Sequence, residues 1–226
     1  MSTEDRCDDL VVAAVPHAAF DGWTRTALRE AARDLGLDDG APDRLFPGGP
    51  IEAVAHFTAY ADRIMARDLA ARSSQTLRTG ERVFQAVKLR LEPWSGSRES
   101  IRRALGLLAL PQNVGLAARL TWRTADAVWA ACGHVSADFS HFTRRASLAA
   151  VYAATVLYWL DDPSDGCAAT WDFLHRRLAE VQRLPKLPKM LQGSKLLQGK
   201  GMLKSAIRPV RPAIARSGRG PRAGGD

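Results

Sequence analysis

The sequence predicts an all-α fold of about nine helices followed by a C-terminal amphipathic helix and tail. Three observations carry this. No stretch alternates β-branched and polar residues with the period of two that a half-buried strand requires. Apolar residues instead recur at helical spacing between Gly and Pro punctuation. Third, the centre of Ser136–Val181, from Ala146 to Leu160, carries no charge on any side, the mark of a helix that is buried or in lipid. That run reaches only about 22 Å, short of the ~30 Å hydrocarbon core of a bilayer. Arg144 and Arg145 bound it at one end and Asp161 and Asp162 at the other, so it reads as the central core helix of a globular domain.

The elements follow in order. Asp5 to Val15 forms a first helix with Leu10, Val11, Ala14 and Val15 on its apolar face. After a turn at Phe20–Thr24, Thr24 caps a second helix that reaches Leu35 and stops at Gly36. A short helix, Pro42 to Phe46, fits between the next glycines and prolines. Pro50 suits the first turn of a long helix, Ile51 to Arg72. Thr79 caps Gly80 to Leu91, which ends before Pro93; Arg98 to Leu110 and Gln112 to Cys132 follow, the latter ended by Gly133. Past the core helix, Pro163, Ser164 and Gly166 make a turn into an amphipathic helix, Cys167 to Val181, with Trp171, Leu174 and Leu178 on one face. Two helices joined by so short a turn must pack together.

Composition narrows the function. The chain of 226 residues has a net charge of +8, but ten of its 32 basic residues and one of its 24 acidic residues lie from Pro185 onward. The body is close to neutral and the tail holds the surplus, so an anionic partner would bind there. Three cysteines without C-x-x-C spacing read as reduced thiols in a cytosol-like compartment. The acidic start MSTEDRCDD reads as neither a secretory signal nor a transit peptide. There is no phosphate-cradling glycine loop, thiolate cluster or nucleophile elbow. Glu52 and His56 share a helix face, but no second Glu-x-x-His exists to complete a di-iron bundle. Asp161 and Asp162 read as completing a helix end. No catalytic residue and no metal site is expected.

ALREAARDLGLDDGAPDRLFPGGPIEAVAHF, in the first helices, resembles the helix-turn-helix region of the tetracycline-repressor-like family. A recognition helix needs Lys or Arg for phosphates and Arg, Asn or Gln for base edges. This one offers Asp38, Asp39 and Asp43 against Arg44, and Pro42 interrupts it. A repressor-like fold without specific DNA binding is the better reading, with a DNA-binding transcriptional regulator as the alternative.

FDGWTRTALREAARDLG, LALPQNV, the spacing Trp129…Gly133…Asp138-Phe139-Ser140, FTRRASLAAVY and TWDFLHRR together resemble the ubiquinone-biosynthesis accessory family of the coenzyme Q pathway, the ninth in the usual naming. The resemblance runs from about Leu10 to Gln182 and looks bacterial in type, with His141 where mitochondrial members usually carry Trp. Gly133-His134 replaces a glycine followed by an acid. The resemblance implies a tetracycline-repressor-like fold that has given up DNA and is not an enzyme. It implies binding of isoprenoid quinone intermediates, or phospholipid, and their presentation to the di-iron demethoxyubiquinone hydroxylase or an equivalent. It implies no cofactor beyond the bound lipid. The domains would be a degenerate helix-turn-helix (1–49), a helical lipid-binding domain (50–183) and a linker, amphipathic helix and basic tail (184–226).

A prenyl chain needs an apolar cavity with few polar groups. Leu107, Leu108, Leu116, Leu120, Trp122, Tyr152, Val156 and Trp159 could line one, or could simply form a dry core. Asp138, His141, Phe142 and Arg145 fall on one helix face and, with Trp129, suit a partner patch; alternatively Asp138 caps the helix or pairs with Arg145. In the tail, Leu196, Met202, Leu203, Ala206, Ile207 and Val210 share one arc of a wheel while Lys200, Lys204 and Arg208 face away. That pattern fits reversible docking on an anionic membrane; a disordered tail or nonspecific nucleic-acid binding are the other readings. The expected location is the cytoplasm, peripheral on the inner face of the cytoplasmic membrane, or the matrix side of the inner membrane in a mitochondrion. Like chains are expected to dimerise through the last two helices.

Overall fold

A computed structural model describes residues 2–72, 77–133 and 139–183, with backbone alone for 139–142 and 182–183. Among them are nine α-helices and no strand. They are α1 (Thr3–Asp21), α2 (Arg25–Asp34), α3 (Ala41–Leu45), α4 (Pro50–Ala71), α5 (Thr79–Leu91), α6 (Arg98–Leu108), α7 (Val114–Ala131), α8 (Phe139–Leu160) and α9 (Ala168–Arg183). Single 3-10 turns at Glu92–Ser97, Pro111–Asn113 and Asp165–Cys167 precede α6, α7 and α9. Met1–Leu184 form one compact unit. Pro185–Asp226, with the expected linker and amphipathic helix, lie outside the described residues.

Helix α1 is longer than its periodicity predicts at both ends. Ser2 and Asp5 form a reciprocal capping box: Asp5 N–H donates to Ser2 Oγ at 3.0 Å and Ser2 N–H to Asp5 Oδ2 at 2.6 Å. At the far end the helix runs through Pro16 to Asp21. Pro16 and Val12 both lie on the exposed side, where water can replace the missing i−4 hydrogen bond, and Ala18 beyond is fully buried and holds the turn in place. Helix α2 starts as expected, with Ala27 N–H donating to Thr24 Oγ1 at 3.2 Å. It stops at Gly36, whose φ of +69° favours glycine. Thr79 is not the cap of α5 but its first residue, because Arg78 already holds the extended conformation that precedes a helix. Helix α7 starts at Val114 rather than Gln112: Pro111–Asn113 turn as a 3-10 element, and Asn113 Nδ2 donates to Leu107 O at 2.9 Å, tying the turn to α6.

Two apolar cores result. Leu10 and Val11 of α1, Leu28 of α2, Phe46 just after α3, Val54 and Phe57 of α4, Leu108 of α6 and Leu120 of α7 form the first. Met65 and Leu69 of α4, Val87 of α5, Val128 of α7, Val156 and Trp159 of α8 and Leu174 of α9 form the second. Helix α4 crosses both, and Trp94, Ile101 and Leu105 pack against both. Trp23 and Ser100 lock α1 to α6: Trp23 Nε1–H donates to Ser100 O at 2.9 Å, and Ser100 Oγ–H to Val15 O at 2.6 Å.

Candidate functional site

Only one face of the charge-free run of α8 lands in the second core; the opposite face, with Ala150, Ala153, Leu157 and Tyr158, is exposed, so the helix borders the core rather than running through its centre. Trp159 is 0% exposed, and Val156 is buried beside Met65, Val128 and Leu174. Tyr152 packs on the same core. Of the other expected lining residues, Leu108 and Leu120 are buried in the first core, Leu107 and Leu116 pack half-buried against it, and Trp122 is half-buried on α7. Apart from Trp122, the expected lining therefore falls into two sets, one per core. An open hollow of about 570 Å³ lies elsewhere, between α1, α3 and α4, bordered by Cys7, Phe46, His56, Arg63 and Arg123. Cys7, Cys132 and Cys167 are free and buried.

Within the second core sits a polar cluster that sequence reasoning missed. Arg90 Nε–H donates to Asp62 Oδ1 at 2.7 Å, and Thr124 Oγ–H to the same oxygen at 3.1 Å. Asp62 and Arg90 are 8% and 6% exposed. Burial opposes the charge on Arg90, but the nearby Tyr152 and Asp62 raise its pKa above the ordinary value. Burial pushes the pKa of the Tyr152 hydroxyl up, against the pull of Arg90. The only hint in the sequence was Asp62 beside the α4 stripe of Phe57, Ala61 and Met65, with its basic mate 28 positions away on another helix.

Arg145 pairs with Asp126 of α7 at 2.7 Å, which ties α8 to α7. Trp129 is half-buried against the second core. Asp138 and the side chains of His141 and Phe142 lie outside the described residues, as do Leu196, Lys200, Met202, Leu203, Lys204, Ile207 and Arg208. On α8 and α9, Leu157 (62%) and Tyr158 (40%) are exposed, and Tyr158 stacks on Phe173 with ring centroids 4.7 Å apart.

The residues weighed for chemistry are engaged elsewhere. Glu52 Oε2 accepts the Gly48 N–H at 2.6 Å, while His56 Nε2 meets Asp8 Oδ1 at 2.6 Å. Among the described residues no three His, Cys, Asp or Glu gather as metal ligands. Asp161 pairs with Arg102 at 2.8 Å. Asp162 closes the α8–α9 turn by accepting from Ser164 N–H at 2.8 Å, Ser164 Oγ–H at 2.6 Å and Thr170 N–H at 2.8 Å. The short α3 carries Arg44, whose guanidinium is held by Asp38.

These helices define a class first. A crystal structure of a TetR transcriptional regulator from Nitrosomonas europaea superposes with a TM-score of 0.64 at 22% identity, covering 79% of this chain and 98% of that one. The fold is that of the tetracycline repressors. The COQ9 family model matches residues 114–185, from α7 through α9. The likeness extends well beyond that segment. The chain is 30% identical over 199 residues to the human mitochondrial ubiquinone biosynthesis protein COQ9, covering 84% of this chain and 62% of the relative. It is 31% identical over 185 residues to the Drosophila melanogaster protein of that name (80% and 56%), and 26% identical over 177 residues to that of Schizosaccharomyces pombe (77% and 69%). The chain thus spans about three fifths of the length of the human relative.

Proposed function

We propose that this protein is a non-enzymatic lipid-binding component of ubiquinone biosynthesis, holding isoprenoid quinone intermediates for a membrane-associated quinone hydroxylase. The observation that carries this reading is the COQ9 match over residues 114–185. That segment contains Leu116, Leu120, Trp122, Tyr152, Val156 and Trp159 of the expected lining and all of the expected partner patch. The relatives are named as ubiquinone biosynthesis proteins. Their names place them in the mitochondrion, which accords with a chain peripheral on a quinone-bearing membrane; among the described residues no helix is long and apolar enough to cross one. The tail, with ten Lys or Arg and one acid from Pro185 onward, supplies the membrane attraction, at about 1 kcal/mol for each basic residue near an anionic leaflet. Two copies associate through the α8–α9 face that exposes Leu157 and Tyr158.

Six tryptophans make binding readable, because quinones quench indole fluorescence. Titrating the full chain with a long-chain prenylated quinone in mild detergent gives saturable quenching. A quinone lacking the prenyl chain quenches only in proportion to its concentration. Equal quenching by both contradicts the reading.

A further inference from the structure

The repressor-like surface formed by α2, α3 and the loop between them is not poor in cations. Four arginines and five acids lie between Arg25 and Phe46, and the arginines are matched to acids on the same surface. Arg33 grips Asp39 with two parallel bonds, Nε to Oδ1 and Nη2 to Oδ2, each 2.9 Å, and its Nη1 also bonds to Glu30 Oε1 at 2.8 Å. Arg44 takes Asp38 in the same forked manner, with Nη1 at 3.0 Å from Oδ1 and Nη2 bonded to Oδ2. Arg25 bonds to Asp43, whose second oxygen lies 3.8 Å from Arg29. Gly40 leaves room for the arrangement: a Cβ there would stand 2.9 Å from Arg44 Nη1 and 3.1 Å from Asp38 Oδ1.

A guanidinium fork fits a phosphate as it fits a carboxylate. We propose that Asp38, Asp39 and Asp43 act as built-in substitutes for phosphodiester groups, occupying Arg44, Arg33 and Arg25 and so masking a surface that would otherwise grip a nucleic-acid backbone. The pairing carries a matching electrostatic mark. Bonds to their arginines hold the Asp38 and Asp39 carboxyls below their ordinary value, and the same bonds lift Arg33 and Arg44. Taking the three acids away turns the local balance from one excess negative charge to two excess positive ones. The sequence alone shows aspartates repelling phosphate; the structure shows them also removing the groups that would bind it. This inference concerns α2–α3 and does not rest on the lipid-binding reading.

The test is the salt dependence of binding to a mixed-sequence DNA duplex, followed by fluorescence anisotropy on the full chain. The basic tail contributes equally to every variant, so differences report on the masked surface. Asparagine is the replacement of choice, because Asp38 Oδ1 also accepts the Gly40 N–H at 2.9 Å and an amide oxygen can do the same. Each freed arginine that takes a phosphate steepens the log K against log salt slope by about 0.9. The triple variant Asp38→Asn, Asp39→Asn, Asp43→Asn is therefore expected to steepen it by roughly 1.8 from Arg25 and Arg44, and by up to about 2.7 when phosphate also draws Arg33 from Glu30. Adding Arg25→Gln, Arg33→Gln and Arg44→Gln restores the original slope. Should the triple variant fail to fold, Asp38→Asn alone decides, because Arg33 would keep its bond to Glu30, and the expected steepening from Arg44 is about 0.9. An unchanged slope in a folded variant, or a steepening that survives loss of the three arginines, overturns the proposal.

Discussion

Asp62 and Arg90 are a charge pair inside an apolar core, and such pairs behave asymmetrically when disturbed. Removing one partner strands the other without water, so Asp62→Ala or Arg90→Met is expected to cost about 3–5 kcal/mol in urea unfolding. Replacing both together with apolar residues costs less than either single change, because no charge is left unpaired. Thr124 and Tyr152 sit in the same network, so their substitutions are coupled to these rather than additive. Asp162 gives a pH signature. Burial would raise its pKa, but the bonds from Ser164 and Thr170 win and hold it well below the usual carboxylate range. A depressed folded-state pKa contributes stability that is fully present above the unfolded value of about 3.9 and is lost as pH falls below it. Thermal unfolding should therefore show Asp162→Asn clearly less stable than the parent at pH 7, with the gap closing between pH 4 and 2. A gap constant across that range would place the contribution in shape rather than charge. Neither residue showed its role in the sequence: the partners of Asp62 come from other helices, and Asp162 revealed only that an acid stood at a helix end.

Most helices were legible because their signals are local. Thr24 before an apolar stripe, Gly36 after it and Pro50 in the first turn translate directly into structure; the charge-free stretch of α8 is a helix as expected, but only one of its faces is buried. The boundaries that moved are those decided by packing or by backbone geometry. Helix α1 continues through Pro16 because Ala18 is buried beyond it, and Pro111 opens a 3-10 turn before α7 takes over. Which apolar residues share a core was not legible. Leu120 and Val128 lie eight positions apart on α7 and belong to different cores, because α7 spans from one to the other. The exposed face of α8–α9 carries its own prediction. Leu157 touches solvent over most of its surface within one chain, so Leu157→Glu should alter unfolding of the monomer by no more than about 0.5 kcal/mol, any larger loss reporting lost association. If this face joins two copies, sedimentation of the variant will show a monomer where the parent is a dimer; a parent and variant of equal mass rejects the face.

For the whole molecule, the charge divides more sharply than the structure does. The helical unit is nearly neutral overall, its repressor-like surface is internally paired, and the cationic surplus lies beyond Leu184. Removing 185–226 should abolish co-sedimentation with vesicles containing anionic lipid, while leaving helix content per residue in the remainder undiminished. Persistent co-sedimentation would mean that another surface meets the membrane. The fold was legible because TetR-like helix order and COQ9-like motifs are both written in short local patterns. A lipid path was not, since the residues suited to line one are also those suited to fill a core: Trp159, at 0% exposure, is packed in this structure. The most direct measurement is organic extraction of the purified full-length chain followed by mass spectrometry. The account predicts prenylated quinone or quinone-precursor species in stoichiometric proportion to protein. A chain that yields no isoprenoid lipid, even when prepared from cells rich in quinone precursors, contradicts it.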